Sequence, residues 1–252
     1  MIRQFSLAAI KMERYSRQIS LFGTQGQEKL FAAKILVIGA GGLGSPASLY
    51  LTAAGVGQIG IVDGDKVYLS NLQRQILHAT KDLNRCKVYS ARETLNALNP
   101  DVKIFTYNER ATADNIKDII RDYDFVLDCT DNFETKFLIN DACVAMRKPF
   151  THAGILHYGG QLMTCLPFQS ACYRCVFEEP PLIETFGREG IFNVVAGVIG
   201  TLQASEALKY FLNVGELLTD CLLTFDALKS EFRRIKISRN KNCTACGEVN
   251  SC

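Results

Sequence analysis

The sequence has almost no surplus of charge. Its 28 Lys and Arg against 26 Asp and Glu leave a net charge of +2. So small a balance excludes a bulk nucleic-acid surface built on positive charge. No apolar run reaches the roughly 18 residues that a membrane span needs. The longest candidate, residues 194–212, is interrupted by Gln203, Glu206 and Lys209. A secretory leader is not expected either. Residues 1–10 carry one Arg and a short apolar patch, and Lys11, Glu13 and Arg14 follow at once, a poor match to a signal peptide. The expected location is therefore the cytoplasm. Internal repeats and low-complexity segments are absent. The three histidines, His78, His152 and His157, form no ligand pattern.

Cysteine, by contrast, is plentiful. Ten cysteines in 252 residues do not fit a secreted disulfide scaffold, which is normally shorter and exported. Four of them form two C-x-x-C pairs, Cys172/Cys175 and Cys243/Cys246, and the other six are scattered. Each pair offers two thiolates on one tight turn, and two such turns make a tetrahedral zinc site. The 67 residues between the pairs far exceed the spacing of a zinc ribbon. A redox dithiol is the other reading. It expects a pair at a strand-to-helix junction of a thioredoxin-like unit, and neither pair sits in one. Cys129, Cys143, Cys165 and Cys221 fall on expected strands or helices and read as small buried hydrophobes.

The apolar pattern predicts an α/β fold: a Rossmann-like, mostly parallel sheet extended by antiparallel C-terminal strands. Residues 34–39 form a short β-branched run, read as a buried strand. A helix follows with Ser45 as N-cap and Pro46 in its first turn, ending near Ala54 at Gly55. A second strand spans 58–63, so the unit is β-α-β and favours parallel pairing. Residues 90–98 read as a helix stopping before Pro100. Strands are expected at 103–107 and 125–129, and a helix at 132–146. Beyond these come strands at 161–166, 222–225 and 232–237, and a long buried helix at 194–212. Residues 180–192, with two prolines and two glycines, read as a mobile loop. We divide the single domain into an N-terminal arm (about 1–30), a nucleotide-binding half (about 31–155) and a C-terminal half (about 156–252).

Gly39-Ala-Gly41-Gly42-Leu-Gly44 is a G-x-G-x-x-G run between strand and helix. Its glycines permit a tight turn and a close approach of backbone N–H groups to phosphate, reinforced by the helix N-terminus. An acid is expected about 20 residues on, for ribose hydroxyls; Asp63 follows Gly44 by 19. The plain alternative is a glycine turn needed only for packing. The glycine motif by itself favours NAD. The Arg and Lys that follow, Arg74 within Ser70-Asn71-Leu72-Gln73-Arg74-Gln75 and then Lys87, suit a triphosphate and a departing pyrophosphate; solvated surface is their bland reading. Asp131 lies just past the fourth strand at its carboxyl end, where open α/β sheets bind ligands. A carboxylate there suits magnesium beside phosphate oxygens, and it equally suits a helix N-cap. Asp128 reads as the structural member of the pair.

Taken together, Gly39 to Gly44, Asp63-Gly-Asp65, Ser70 to Gln75, Lys87 and Asp128-Cys-Thr-Asp131-Asn132 resemble the ThiF/MoeB/HesA family, bacterial relatives of ubiquitin-activating enzymes. Arg14-Tyr-Ser-Arg17-Gln-Ile and the paired C-x-x-C motifs fit the same resemblance, which runs from about Glu13 to Gly247. It implies an adenylyltransferase. Gly39, Gly41, Gly42 and Gly44 would approach the phosphates of ATP, and Asp63 would bind the ribose, with Asp65 beside it. Asn71, Arg74 and Lys87 would contact the triphosphate, with Ser70, Leu72 and Gln73 in the same segment. Asp131 would hold Mg2+, and Asn132 would sit beside it. Family members are homodimers in which an N-terminal arginine crosses to the neighbour's ATP, and Arg17 is the matching position. The resemblance also implies structural Zn2+ on Cys172, Cys175, Cys243 and Cys246.

Several family members use a cysteine on a crossover loop for a covalent link to their partner. Here residues 180–195 contain none, and the aligned position is at or near Phe186. The implied reaction therefore stops at the acyl adenylate. The partner would be a ubiquitin-like sulfur carrier ending in Gly-Gly, and a separate sulfur donor such as a cysteine desulfurase would complete a step in thiamine or molybdopterin biosynthesis. The same scaffold could adenylate a peptide or a modified tRNA nucleoside. An inactive scaffold subunit is disfavoured because Asp131 and Arg74 are both present. Cys86 has no assigned role, and Cys252 is a candidate for sulfur transfer.

Overall fold

The computed structural model describes residues 12–177 and 190–248. Among them one eight-stranded sheet runs in the order β3-β2-β1-β4-β5-β6-β7-β8. Its parallel part comprises β1 (Lys34–Ile38), β2 (Gln58–Val62), β3 (Lys103–Tyr107), β4 (Phe125–Asp128) and β5 (Phe150–Leu156). β6 (Gly159–Cys165), β7 (Cys221–Asp226) and β8 (Glu231–Lys236) then add antiparallel to one edge. Parallel strands must be covered on both faces, and β1 shows how its sequence achieves this. Ile35 and Val37 join one apolar cluster, while Leu36 and Ile38 join another. Alternating side chains thus serve the two faces in turn.

Helices supply the covers: α1 (Ser16–Ala32, kinked at Gly23), α2 (Gly44–Ala54), α3 (Lys87–Leu98), α4 (Ile116–Ile120), α5 (Phe133–Ala145), α6 (Tyr173–Val176) and α7 (Asn193–Leu212). α7 buries Val195, Ala196, Ile199, Gln203, Ala204 and Ala207, a stripe at helical spacing. Two of its buried residues are polar, and both are fully engaged. Gln203 donates to the Asp128 carbonyl (2.8 Å) and the Thr151 hydroxyl (3.2 Å), and accepts from the Cys129 thiol (3.3 Å). Glu206 accepts from the Thr164 hydroxyl (2.6 Å) and the Leu218 N–H (2.7 Å), and pairs with Lys209. The helix is therefore pinned to the sheet by hydrogen bonds as well as by apolar contact.

Several boundaries differ from the sequence expectation. Ser45 is not an N-cap: α2 starts at Gly44, its N-cap position is Leu43, and no side chain caps it. The other end is as expected, with Gly55 left-handed at the C-cap. α3 begins at Lys87 rather than residue 90, so Lys87 stands in its first turn. β5 was not anticipated. Its seven residues include Thr151, His152 and Gly154, which dilute the apolar signal of a buried strand. Much of 180–192 lies outside the described residues. No described helix is long and apolar enough to cross a membrane.

Replacing Gln203 with Leu strips the Asp128 carbonyl and the Cys129 thiol of their partner inside the core. Unfolding stability should fall by about 1–3 kcal/mol, read as a lower urea midpoint with an unchanged slope.

Candidate active site

β1 lies between β2 and β4, and the connections from β1 and β4 leave the sheet on opposite sides. At such a switch point a crevice opens beyond the carboxyl ends of the strands. The glycine loop lies there. Gly39 has φ +104°, and its N–H donates to the Val62 carbonyl at 2.8 Å. A side chain at Gly39 would meet the Cys129 carbonyl at 2.6 Å, and one at Gly44 would meet the Gly39 carbonyl at 1.9 Å. The loop is thus wedged between the end of β4 and the start of α2, and only glycine fits. The N–H groups of Gly41 and Gly42 find no acceptor among the described residues. Free donors at a helix N-terminus can hold an anion.

Asp63, just past β2, braces this loop. One carboxylate oxygen accepts the Ala40 N–H (2.9 Å), and the other accepts the Asp65 N–H (2.8 Å). Lys87 stands 3.7 Å from Asp63 and 3.3 Å from Asp65, and Arg110 lies 3.0 Å from Asp65. Burial acts to raise the Asp65 pKa, but the Lys87 and Arg110 cations hold it below the usual carboxylate value. The surface reading of Lys87 is overturned: it is 6% exposed, and its stem runs through the protein to a site rich in carboxylates. Arg74 is half-buried, with its aliphatic stem about 3.4 Å from where a Gly42 side chain would be. Its guanidinium donates to the Ser70 carbonyl at 3.3 Å. The segment is held in a tight turn, since the Asn71 side chain accepts the Tyr68 N–H at 3.1 Å and the Asn71 carbonyl accepts from Arg74 and Gln75. Ser70 and Gln73 are exposed and Leu72 is half-buried.

The opposite wall follows β4. Asp128 is fully buried and accepts from the Thr130 N–H (3.0 Å) and hydroxyl (2.6 Å). His152 Nδ1 lies 2.7 Å from it and the Lys136 ammonium 3.4 Å, while Lys136 also donates to the Ala153 carbonyl at 2.6 Å. Burial acts to raise the Asp128 pKa, but Lys136 and His152 hold it well below the usual range. His152 moves the other way. Burial and the Lys136 charge lower its pKa to about 4, against the pull of Asp128. The structural reading of Asp128 therefore holds. For Asp131 the N-cap reading fails: Asn132 is the cap of α5, its side chain accepting the Thr135 N–H at 2.9 Å. Asp131 is exposed, and its carboxylate has no partner among the described residues. It is available to a cation.

Cys172, Cys175, Cys243 and Cys246 converge despite their separation in sequence, with all four sulfurs within 4.8 Å of one another. The Sγ–Sγ distances are 3.8 Å for Cys172–Cys175, 3.6 Å for Cys172–Cys243 and 3.4 Å for Cys175–Cys246. A disulfide needs about 2.05 Å, whereas four thiolates at about 2.3 Å from a zinc ion sit roughly 3.8 Å apart. The donor set and spacing fit tetrahedral zinc. The Cys172 thiol, and after it the Asn240 N–H, lower the Cys175 pKa against the opposing effect of burial.

Sequence reading placed the glycines, Asp63, Arg74, Lys87 and Asp131 in the region where the structure brings them together. It missed His78, Lys136 and His152. His78 is buried, and its ring bridges the Ala40 carbonyl and the Ser90 hydroxyl. Such residues follow no spacing rule, because each answers to a partner set by the fold. Arg17 lies exposed on the first turn of α1, its guanidinium without a partner among the described residues. Phe186 and Cys252 lie outside the described residues.

The model of the ThiF family matches residues 15–245. A sulfur carrier protein adenylyltransferase of Thermus thermophilus is 42% identical over 248 residues, covering 94% of this chain and 92% of that protein. An adenylyltransferase and sulfurtransferase MOCS3 of Culex quinquefasciatus is 46% identical over 244 residues, covering 94% of this chain and 56% of that protein. This chain thus spans about half the length of that relative. Among solved structures, E. coli MccB crystallised with MccA-N7isoASN superposes with a TM-score of 0.86 at 22% identity, covering 97% of this chain and 76% of that one. At that identity the likeness concerns the fold.

The His152 shift has a pH consequence. Its pKa is lower in the folded chain than the ordinary 6.5, so the unfolded chain binds the extra proton first. The stability it contributes is present above about pH 6.5 and is lost as pH falls towards 4. Comparing wild type with His152→Gln by urea unfolding from pH 7 to pH 4.5, the wild type should lose roughly 1–3 kcal/mol more than the variant.

Proposed function

Because the chain belongs to the ThiF family and is an enzyme of adenylyltransferase type, we propose that it uses ATP to adenylate the C-terminal carboxylate of a small ubiquitin-like sulfur carrier ending in Gly-Gly. The observation that carries this reading is the convergence at the β1/β4 switch point. Free loop N–H groups after β1, Arg74 packed on Gly42, Lys87 beside Asp63 and an unpartnered Asp131 carboxylate just past β4 all stand at the carboxyl ends of neighbouring strands. A nicotinamide site has no use for so many cations beside an acid that is free to take a metal.

In this reading a carboxylate oxygen of the carrier attacks the α-phosphorus of ATP. The new P–O bond forms as the bond from the α-phosphorus to the oxygen bridging to the β-phosphorus breaks. Pyrophosphate leaves with that electron pair. The attacking carboxylate is already an anion, so no general base is required, and the protein's task is alignment and charge neutralisation. Gly41 and Gly42 donate to phosphate oxygens, and Arg74 and Lys87 balance the charge that grows on the leaving group. Asp63 and Asn71 face the nucleotide from the same side. Asp131 would hold Mg2+, which when bound neutralises phosphate charge, and Asn132 flanks it while capping α5. Arg17 is read as serving the site of a second copy in a homodimer.

With no cysteine in residues 180–195, the chain's product is the acyl adenylate. A separate sulfur donor, such as a cysteine desulfurase, then supplies the thiocarboxylate, as a step of thiamine or molybdopterin biosynthesis in the cytoplasm. The four cysteines would hold Zn2+ with no open position, tying the 172–175 turn to the 243–246 turn.

Incubated with ATP, magnesium and a Gly-Gly carrier, the protein should exchange labelled pyrophosphate into ATP, and only when the carrier is present. Asp131→Asn should slow that exchange about a hundredfold or more without moving the melting temperature; full activity in that variant would remove Asp131 from the site. Metal analysis of the purified protein should find zinc near one ion per chain, and a strong chelator should lower the melting temperature. A metal-free protein that melts at the same temperature before and after chelation speaks against structural zinc.

A further inference from the structure

Both peptide planes at Ala40 are fixed by side chains from elsewhere in the fold. On one side the Ala40 N–H donates to Asp63 at 2.9 Å. On the other the Ala40 carbonyl lies 3.0 Å from His78 Nε2. A carbonyl only accepts, so Nε2 carries the proton. Nδ1, 2.9 Å from the Ser90 oxygen, then accepts from that hydroxyl. Ala40, His78 and Ser90 are all buried. Burial lowers the pKa of the ring, as does the Lys87 charge, against the pull of the Ala40 carbonyl, so the neutral tautomer is the resting form.

In a trans peptide the carbonyl of one residue and the N–H of the next point in opposite directions. Holding the Ala40 carbonyl towards His78 therefore holds the Gly41 N–H away from the buried ring. That N–H is one of the two loop donors without an acceptor among the described residues. Gly41, which follows this peptide, has no side chain to resist its flip, so the loop's own sequence fixes the direction poorly. We propose that His78 is a positioning residue of the phosphate loop: acting through the Ala40 carbonyl, it aims the Gly41 N–H at the phosphates of the nucleotide. This deepens the ATP reading of the site and rests on it.

The test compares His78→Gln with His78→Asn. The Gln amide reaches the place of Nε2 and donates to the same carbonyl. The shorter Asn amide takes the place of Nδ1 and leaves the carbonyl unheld. Magnesium–ATP is titrated calorimetrically into the full-length proteins, and nucleotide-free melting temperatures are recorded alongside. His78→Gln should bind ATP nearly as wild type does, and His78→Asn about tenfold more weakly, with the two melting temperatures alike. Equal ATP affinities for the two variants, beside normal binding by wild type, would overturn the proposal alone. Absence of ATP binding by wild type would overturn the ATP reading and the proposal with it. Ser90→Ala probes the same arrangement from its far end. Without the hydroxyl the ring is free to turn, and ATP affinity should fall several-fold; unchanged affinity would count against the proposal.

Discussion

One buried negative charge organises the centre of this molecule. Asp128 is shut away from solvent, so it must be neutralised and hydrogen-bonded where it stands. Lys136 from α5 and His152 from β5 meet that need, and the Thr130 N–H and hydroxyl complete it. Each partner brings its element to a fixed place. Lys136 sets the height of α5 and His152 the register of β5. Thr130 folds the chain just beyond β4 so that Asp131 emerges exposed. The Asp128 carbonyl is held as well, by Gln203 of α7. The influence reaches further, because the His152 ring packs on Tyr173 with centroids 3.8 Å apart, and Tyr173 sits between two of the clustered cysteines.

Charge is handled differently on the two walls of the crevice. Along β4 the acid is sealed and paired, and only Asp131 is left over. Along β2 the acids stay partly open to solvent: Lys87 stands 3.3 Å from Asp65 and 3.7 Å from Asp63, and Arg110 donates to Asp65 at 3.0 Å. A polyanion arriving there would compete for Lys87 with Asp63, which has two backbone donors of its own, and with Asp65, which keeps Arg110. Little reorganisation is needed to release the ammonium, which is the condition under which fixed charges assist a reaction most.

Much of this was legible in the sequence, and the reasons differ by residue. β1 and β3 were clear because short β-branched runs admit little else. Gly39 and Gly44 stood out as part of a glycine run between strand and helix, and Asp63 by its spacing from that run, which was read for ribose; that it braces the loop through the Ala40 N–H showed only in the fold. β5 was obscured by Thr151, His152 and Gly154, which belong there for reasons of the buried cluster and sheet pairing, not of hydrophobicity. Ser45 resembled an N-cap, yet the glycine loop feeds straight into α2 and the helix has no cap of that kind. His78 and Lys136 carry no local pattern, because their partners lie 38 and 8 residues away. The cysteine pairs were suggestive but ambiguous until the fold brought four sulfurs within 4.8 Å.

The pairing of β1 with β4 has a consequence for how the chain is made. The two strands are neighbours in the sheet but stand roughly ninety residues apart, Ile35 opposite Phe125. Such distant pairing forms slowly, since a long loop must close before any contact rewards it. A chain growing on the ribosome can assemble β1, α2 and β2 early, but the Cys129–Thr130 peptide that backs Gly39 does not yet exist. The glycine loop therefore spends the first half of synthesis without its floor, and the crevice takes shape only once β4 slides in between finished neighbours and strands still to come.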